Sequence, residues 1–241
     1  MRNIIVDVAL PIYNEEKELE KNALKLYKFL LQKYGKGNFQ ITIVDNASID
    51  NSLKISKQLS IVYPEINYLH LPQKGRGRAI KKAWKTSKAE VLAYMDIDLS
   101  TSLDSLLKLV QAITKKNYDI AVGSRLLSGA KIYNRPLTRE ILSRSLNTLI
   151  KILFQTKFSD AQCGFKAISY KQKEILEKIY DDEWFFDSEL LIYAEKSKLK
   201  IYEEPVIWID NPGSTVRVIG TVTGDLRGLL RLFFTRPWNR G

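Results

Sequence analysis

Apolar residues alternate along the first half of the chain between short continuous runs and longer stretches with a three-to-four residue spacing. The runs at 4–10, 40–45, 66–69, 91–95 and 118–122 are rich in strand-forming residues and predict strands. Residues 15–34, with Leu19, Ala23, Leu26, Leu30 and Leu31 on one face, predict a helix, as do 77–87 and 103–115. Asp50, Asn51 and Ser52 supply capping chemistry for a helix to about residue 60. This order predicts an α/β fold, a mostly parallel sheet flanked by helices on both faces. Ligands in such sheets bind beyond the carboxyl ends of the strands. The unusual polar groups fall there: Tyr13-Asn14-Glu15, Asp45-Asn46, Asp96 with Asp98, and Ser124-Arg125.

The second half is less regular. Residues 139–154 predict an amphipathic helix with Leu142, Leu146, Leu149 and Leu153 on one stripe. A strand at 165–169, helices at 172–179 and 187–196, and a strand at 201–209 follow. Residues 225–234 place Leu226, Leu229, Leu230 and Phe233 at helical spacing beside Arg227, Arg231 and Arg236. That composition suits a helix lying on a membrane surface, although packing on its own domain or a dimer contact would give the same spacing. No linker, repeat or composition break is evident, so the expected organisation is one domain over 1–224 with an amphipathic appendage over 225–241.

With 241 residues, 45% of them hydrophobic, the chain can bury a substantial core. A single cysteine excludes an internal disulfide and fits a reducing compartment. The charged start lacks the apolar stretch of a secretory signal, and no run approaches the roughly 18 apolar residues of a membrane span. The expectation is a cytoplasmic protein, peripheral on the cytoplasmic face of a membrane. A net charge of +11 calls for an anionic partner: nucleotide, lipid phosphate, membrane surface or nucleic acid. The charge is concentrated in 131–158, where Lys131, Arg135, Arg139, Arg144, Lys151 and Lys157 face only Glu140.

Asp96-Ile97-Asp98 narrows the choice. Two carboxylates one residue apart at the end of a buried strand repel each other and lose hydration, so they need a counter-charge. A Mg2+ or Mn2+ ion held by one or two carboxylates takes its other ligands from water and phosphates, which points to a nucleoside diphosphate. Solvated loop acids are the plain alternative. The basic stretch Lys74-Gly75-Arg76-Gly77-Arg78 lacks the register of a dinucleotide fingerprint, and no Walker loop is present; it is expected near phosphate or base. Trp184-Phe185-Phe186 surround Asp187 with apolar groups, so Asp187 is expected partly buried with a perturbed pKa, an ordinary helix cap being the alternative. His70 and Cys163 are expected to be structural.

Taken in order, 9–16, 43–50, 74–79, 95–98, 123–125, 160–166, 184–190 and 204–206 resemble the family 2 glycosyltransferases with the GT-A fold. The later motifs resemble the polyprenyl- or dolichyl-phosphate hexose synthases of that family. The resemblance implies that Pro11, Tyr13 and Glu15 border the nucleotide, that Asp45 binds the base, and that Asp96 and Asp98 hold the metal and diphosphate. It places Lys74 near the donor, Arg125 on the acceptor phosphate with Arg139 or Arg144 assisting, and Asp160 and Gln162 on the acceptor side. Asp187 is expected to orient the site. Some mannose-transferring relatives carry a glutamine where this chain has Ser100, which leaves the metal shell open and favours glucose transfer. The implied activity is inverting transfer of a hexose from a nucleotide sugar, UDP-glucose before GDP-mannose, to polyprenyl phosphate. Two alternatives stand beside it: transfer to a sugar hydroxyl with Asp187 as base, and non-catalytic binding of RNA or anionic membrane, which the strand-end acids oppose. No nucleic-acid partner is expected, and the oligomeric state stays open.

Overall fold

The strand–helix alternation builds a seven-stranded sheet in the computed structural model, which describes residues 4–210 and 218–239, the latter segment with side chains from residue 222 onward. Its first half runs β1 (Val6–Ile12), α1 (Leu19–Tyr34), β2 (Phe39–Asn46), α2 (Ser52–Val62), β3 (Ile66–Leu71), α3 (Arg76–Thr86), β4 (Val91–Met95), α4 (Leu103–Thr114) and β5 (Ile120–Ser124). Then come β6 (Lys131–Tyr133), α5 (Leu137–Phe154), β7 (Phe165–Ser169), a 3-10 helix (Tyr170–Glu177) and α6 (Phe186–Lys196). The chain continues through β8 (Ile201–Pro205), β9 (Ile207–Ile209) and α7 (Val218–Thr235) to a short 3-10 turn at Pro237–Asn239.

The sheet order is β3-β2-β1-β4-β7-β5-β8. All neighbours pair in parallel except β7, which is antiparallel to both β4 and β5. The central strands are buried on both faces, which is why β1 and β4 read as continuous apolar runs rather than alternating ones. One apolar layer packs α1 and α4 on the sheet through Leu19, Leu26, Leu30, Leu106 and Leu109. The opposite layer packs α3, α5, α6 and α7 through Ile80, Trp84, Ile150, Leu190 and Leu229.

The strand expected over 201–209 is divided at Val206. Its N–H donates to the Ser124 carbonyl at 3.1 Å and its carbonyl accepts from Lys131 at 3.0 Å. β8 therefore stays beside β5, while β9 leaves to pair in parallel with β6, a three-residue strand too short to show a pattern in sequence. The helix expected at 172–179 is a 3-10 segment, its start capped by Ser169.

α5 departs from its leucine pattern. Its buried residues are Ser143, Asn147, Ile150 and Phe154, one position on from the predicted stripe, a turn of about 100°. Asn147 fixes this orientation: its Oδ1 accepts the Ala161 N–H at 2.8 Å and its Nδ2 donates to the Ser143 carbonyl at 2.9 Å. Leu142, Leu146 and Leu149 line a cavity, Leu146 and Leu149 also packing against the margin of the core. α7 starts at Val218, seven residues before the helix expected from 225. It buries Leu229 and Leu232, and Gly228 permits its close approach to Phe185, whose ring would lie 2.2 Å from an added Cβ. Leu226, Leu230 and Phe234 remain exposed. Among the described residues no helix is long and apolar enough to cross a membrane.

Asn147→Ala should cost about 1–3 kcal/mol, because the buried Ala161 N–H loses its acceptor. Leu142→Ala, on the outward stripe, should change stability by less than about 0.5 kcal/mol. Urea unfolding monitored by tryptophan fluorescence compares the two; equal losses would show that the stripe does belong to the core.

Candidate active site

The carboxyl ends of β1, β2, β4 and β5 open on one cavity of about 1170 Å³. The segment after β1 is strapped to the start of α2: the Asn14 N–H donates to Ser48 Oγ at 3.0 Å and the Glu15 N–H to Ser52 Oγ at 2.8 Å. This holds Glu15 against the cavity, with Pro11 and Tyr13 beside it. Lys74 lies over the Tyr13 ring, 3.9 Å from its centroid, and donates to its hydroxyl.

Asp96 and Asp98 follow β4. Ser100 clasps Asp98 through its N–H at 3.0 Å and its hydroxyl at 2.6 Å. Burial pushes Asp98 above the ordinary aspartate range despite these bonds, and Asp96 and Asp210 add to the rise. Glu15 is pushed up to about 7 by burial and by the charges of Asp98, Asp50 and Asp96. The floor thus holds more negative charge than it can settle alone. Among the described residues no group of three or more histidine, cysteine or acidic side chains forms a ready metal cage. Hard oxygen donors in surplus charge but short number fit a Mg2+ or Mn2+ ion that completes its shell from a diphosphate and water.

Arg76, the first residue of α3, joins this floor to a buried network. Its Nη2 lies 2.6 Å from Asp96 Oδ1 and its Nη1 2.5 Å from Asp187 Oδ2. Asp187, in the first turn of α6, also meets Lys166 Nζ at 2.8 Å and accepts from the Tyr94 hydroxyl. Burial would raise its pKa, but Lys166 and Arg76 together hold it below the ordinary range. A carboxylate so held is a poor proton acceptor. Gly164 makes the geometry possible, since a Cβ there would lie 2.0 Å from Asp96 Oδ2 and 2.9 Å from Arg76 Nη2.

On the far side, Arg125 is closed onto Asp160, donating from its backbone N at 3.0 Å, Nε at 2.8 Å and Nη2 at 3.0 Å. Burial alone would raise the Asp160 pKa; the Arg125 guanidinium brings it down to about 2. The fork expected to meet an acceptor phosphate is therefore engaged by Asp160. Arg139 lines the cavity with its Nη1 3.9 Å from Asp210. Arg144 is exposed, pairs with Glu140 at 2.6 Å and does not line the cavity. Gln162 lines it and donates to Asp225 at 2.8 Å. Asp45 lies behind the wall, fully buried, accepting from Ser48 and 2.7 Å from His70, while Asn46 reaches the cavity. Cys163 is buried in the core, where desolvation pushes its thiol up to about 12.

Three groups were not singled out from sequence. Arg76 sat within the noted basic stretch, but its carboxylate partners lie 20 and 111 residues away. Asp210 follows β9, with Oδ1 bonded to Trp208 Nε1 at 2.9 Å and Oδ2 buried without a hydrogen-bond partner among the described residues. Asp225 faces the cavity from α7, and burial raises it to about 6. An acid next to a predicted strand end was the one available signal for Asp210.

Strand-end carboxylates lining a large cavity in this sheet topology agree with the sequence profile of Glycosyl transferase family 2, which matches residues 7–178. The chain belongs to that family. It is 29% identical over 231 residues to glycosyltransferase AglD of Haloferax volcanii, covering 95% of this chain but only 37% of that protein. It is 28% identical over 230 residues to the dolichyl-phosphate beta-glucosyltransferase of Saccharomyces cerevisiae, covering 88% of this chain and 69% of the relative. Among solved structures, glucosyl-3-phosphoglycerate synthase from Mycobacterium tuberculosis, in complex with Mn2+, UDP and glucosyl-3-phosphoglycerate, superposes with a TM-score of 0.67 at 15% identity. That likeness covers 98% of this chain and 80% of the other, and is one of fold: the expected GT-A-like sheet and flanking helices are present.

Gly164→Ala should displace Asp96 and weaken Mn2+–UDP binding at least about tenfold in calorimetry, because the backbone-fixed Cβ meets a carboxylate that is itself held by Arg76. The raised Glu15 pKa has a definite sign. Its folded value, about 7, lies above its ordinary 4.5, so the protonated form favours the fold. That contribution is full below pH 4.5 and lost as pH rises through 7. Without metal, Glu15→Gln should match the parent melting temperature at pH 4.5 and exceed it at pH 8; a constant difference across that range would remove the assignment.

Proposed function

We propose that the protein transfers glucose from UDP-glucose to a polyprenyl phosphate, inverting the anomeric centre. The observation that carries this reading is the mixed lining of one cavity: acids in need of a cation, and the Leu142, Leu146 and Leu149 stripe of α5 with Val222 and Leu226 of α7. A nucleotide sugar suits the acids, and an amphiphilic acceptor the apolar lining. The names of the yeast relative and of several others, dolichyl-phosphate beta-glucosyltransferase, support glucose, the lipid phosphate and the β-linked product. GDP-mannose is the competing donor.

Pro11, Tyr13, Glu15 and Lys74 border the nucleotide, with Asp45 supporting the base-side wall from behind. Asp96 and Asp98 hold the divalent ion, which when bound supplies Lewis-acid stabilisation of the departing diphosphate. Arg76 fixes Asp96 in place and adds positive charge beside the leaving group. Asp187 and Lys166 hold Arg76. The acceptor phosphate is already ionised near neutral pH, so attack needs positioning rather than proton removal. The depressed Asp187 pKa agrees with that and counts against the hydroxyl-acceptor reading, which requires Asp187 as base. Arg125, locked to Asp160, orders the acceptor side together with Gln162, and Arg139 offers charge to the incoming phosphate. The same acid floor disfavours RNA.

Leu137 and Ile141 of α5 and Leu226, Leu230 and Phe234 of α7 are exposed apolar residues on the two helices that supply Leu142, Leu146 and Leu226 to the cavity. With Arg227 on α7 and Arg236 just beyond its end, these residues fit a peripheral seat on the cytoplasmic face of a membrane, the 225–241 segment lying at the interface of a 1–224 catalytic domain.

Incubation with UDP-glucose or GDP-mannose, with and without Mn2+ and polyprenyl phosphate, followed by mass analysis of the lipid fraction, tests donor and acceptor together. The expected product is glucosyl-phosphoryl-lipid from UDP-glucose with Mn2+ only, reduced at least about 100-fold in Asp98→Ala. A soluble glycan gaining sugar while the lipid stays unmodified would overturn the acceptor.

A further inference from the structure

We propose that Arg135 binds the acceptor's phosphate, seating it at the start of α5; this rests on the lipid-phosphate reading above and names the residue that sets it. The Arg135 side chain is only 8% exposed, yet its guanidinium is poorly partnered. Nε approaches Glu140 Oε2 at 3.2 Å without hydrogen-bond alignment, and Nη1 has no hydrogen-bond partner among the described residues. Among the described residues only Nη2 donates, to the Arg139 carbonyl at 3.4 Å. A buried guanidinium left in this state is costly unless an anion completes it. Two turns on, the Ser143 hydroxyl is also buried without a hydrogen-bond partner among the described residues. Both side chains line the cavity.

Three further features give the anion its character. Arg135 directly precedes Pro136, the N-cap of the 18-residue α5, so the first-turn N–H groups of that helix lie close by and favour negative charge. The neighbouring cations, Arg125 and Arg139, are less available: the Arg125 fork is taken by Asp160, and Arg139 is directed to Asp210. From the same helix, Leu142, Leu146 and Leu149 run along the cavity wall away from Arg135. A phosphate on Arg135 would therefore leave an attached apolar chain against that stripe. Glu140 need not be stranded when Arg135 turns to the phosphate, because Arg144 Nε already bonds its other oxygen at 2.6 Å.

Arg135→Met separates binding from structure. A residue serving only the fold would, when removed, lower the melting temperature and leave ligand affinity alone. An unfulfilled binding cation should do the reverse. Calorimetry with farnesyl phosphate, with Mn2+ and UDP present, should show at least a tenfold weaker dissociation constant for Arg135→Met, with Mn2+–UDP affinity unchanged and the melting temperature equal or higher. Arg135→Lys, which keeps the charge but loses the fork, should fall between the two and serves as the test should the methionine variant fail to fold. In the parent, inorganic phosphate should compete with farnesyl phosphate, and farnesol should not bind; tight farnesol binding would place recognition in the chain rather than the seat. Equal farnesyl phosphate affinity in parent and variants overturns the role of Arg135. A parent protein that binds no farnesyl phosphate at all, while still binding Mn2+–UDP, overturns the lipid-phosphate reading instead.

Discussion

Arg76 lies under the site with one nitrogen 2.6 Å from Asp96 and another 2.5 Å from Asp187, nearly excluded from water. Removing Asp187 would leave the buried Arg76 and Lys166 sharing less counter-charge, and removing the arginine would leave Asp187 to Lys166 alone and Asp96 without its close cation. This contact fixes the start of α3 to the end of β4 and the first turn of α6. It also divides the acids: Asp187 is buried between Arg76 and Lys166, whereas Asp96 is partly exposed and lines the cavity. The Gly164 turn exists in this form because no side chain can stand where Asp96 and Arg76 meet.

The electrostatics of the cavity follow from that division. On the Arg76 and Arg125 sides, Asp187 and Asp160 have dedicated cations and are held ionised. On the floor, Glu15 and Asp98 have no cation paired with them among the described residues, and burial with the charge of neighbouring acids drives them toward the protonated form. The same residue types behave in opposite ways within one site, and the difference is the supply of counter-charge from within the chain. The floor is thus complementary to a cation that arrives with its own phosphates.

The opposite wall is shaped by polar rather than apolar contacts. Asn147 turns α5 so that its leucines face the cavity, and Gly228 lets α7 come close enough to Phe185 to form the facing side. A buried amide and a missing side chain create an apolar surface that hydrophobic burial alone would have consumed.

The periodicity of the first half determined its strands and helices, and the strand-end location of Tyr13, Glu15, Asp96, Asp98 and Arg125 followed from strand–helix alternation, because parallel sheets gather their carboxyl ends on one side. The resemblance carried by the ordered motifs supplied the family. Sequence did not determine the antiparallel insertion of β7, the parting of β8 from β9, or the orientation of α5, since each depends on hydrogen bonds between residues distant along the chain. It could not show that Arg125 is already held by Asp160, that Arg144 lies off the cavity, or that Arg76 is the pivot, because composition reports charge but not its partner. Only the tertiary structure assigns partners, and in a buried site the partner decides whether a charge is structural or available.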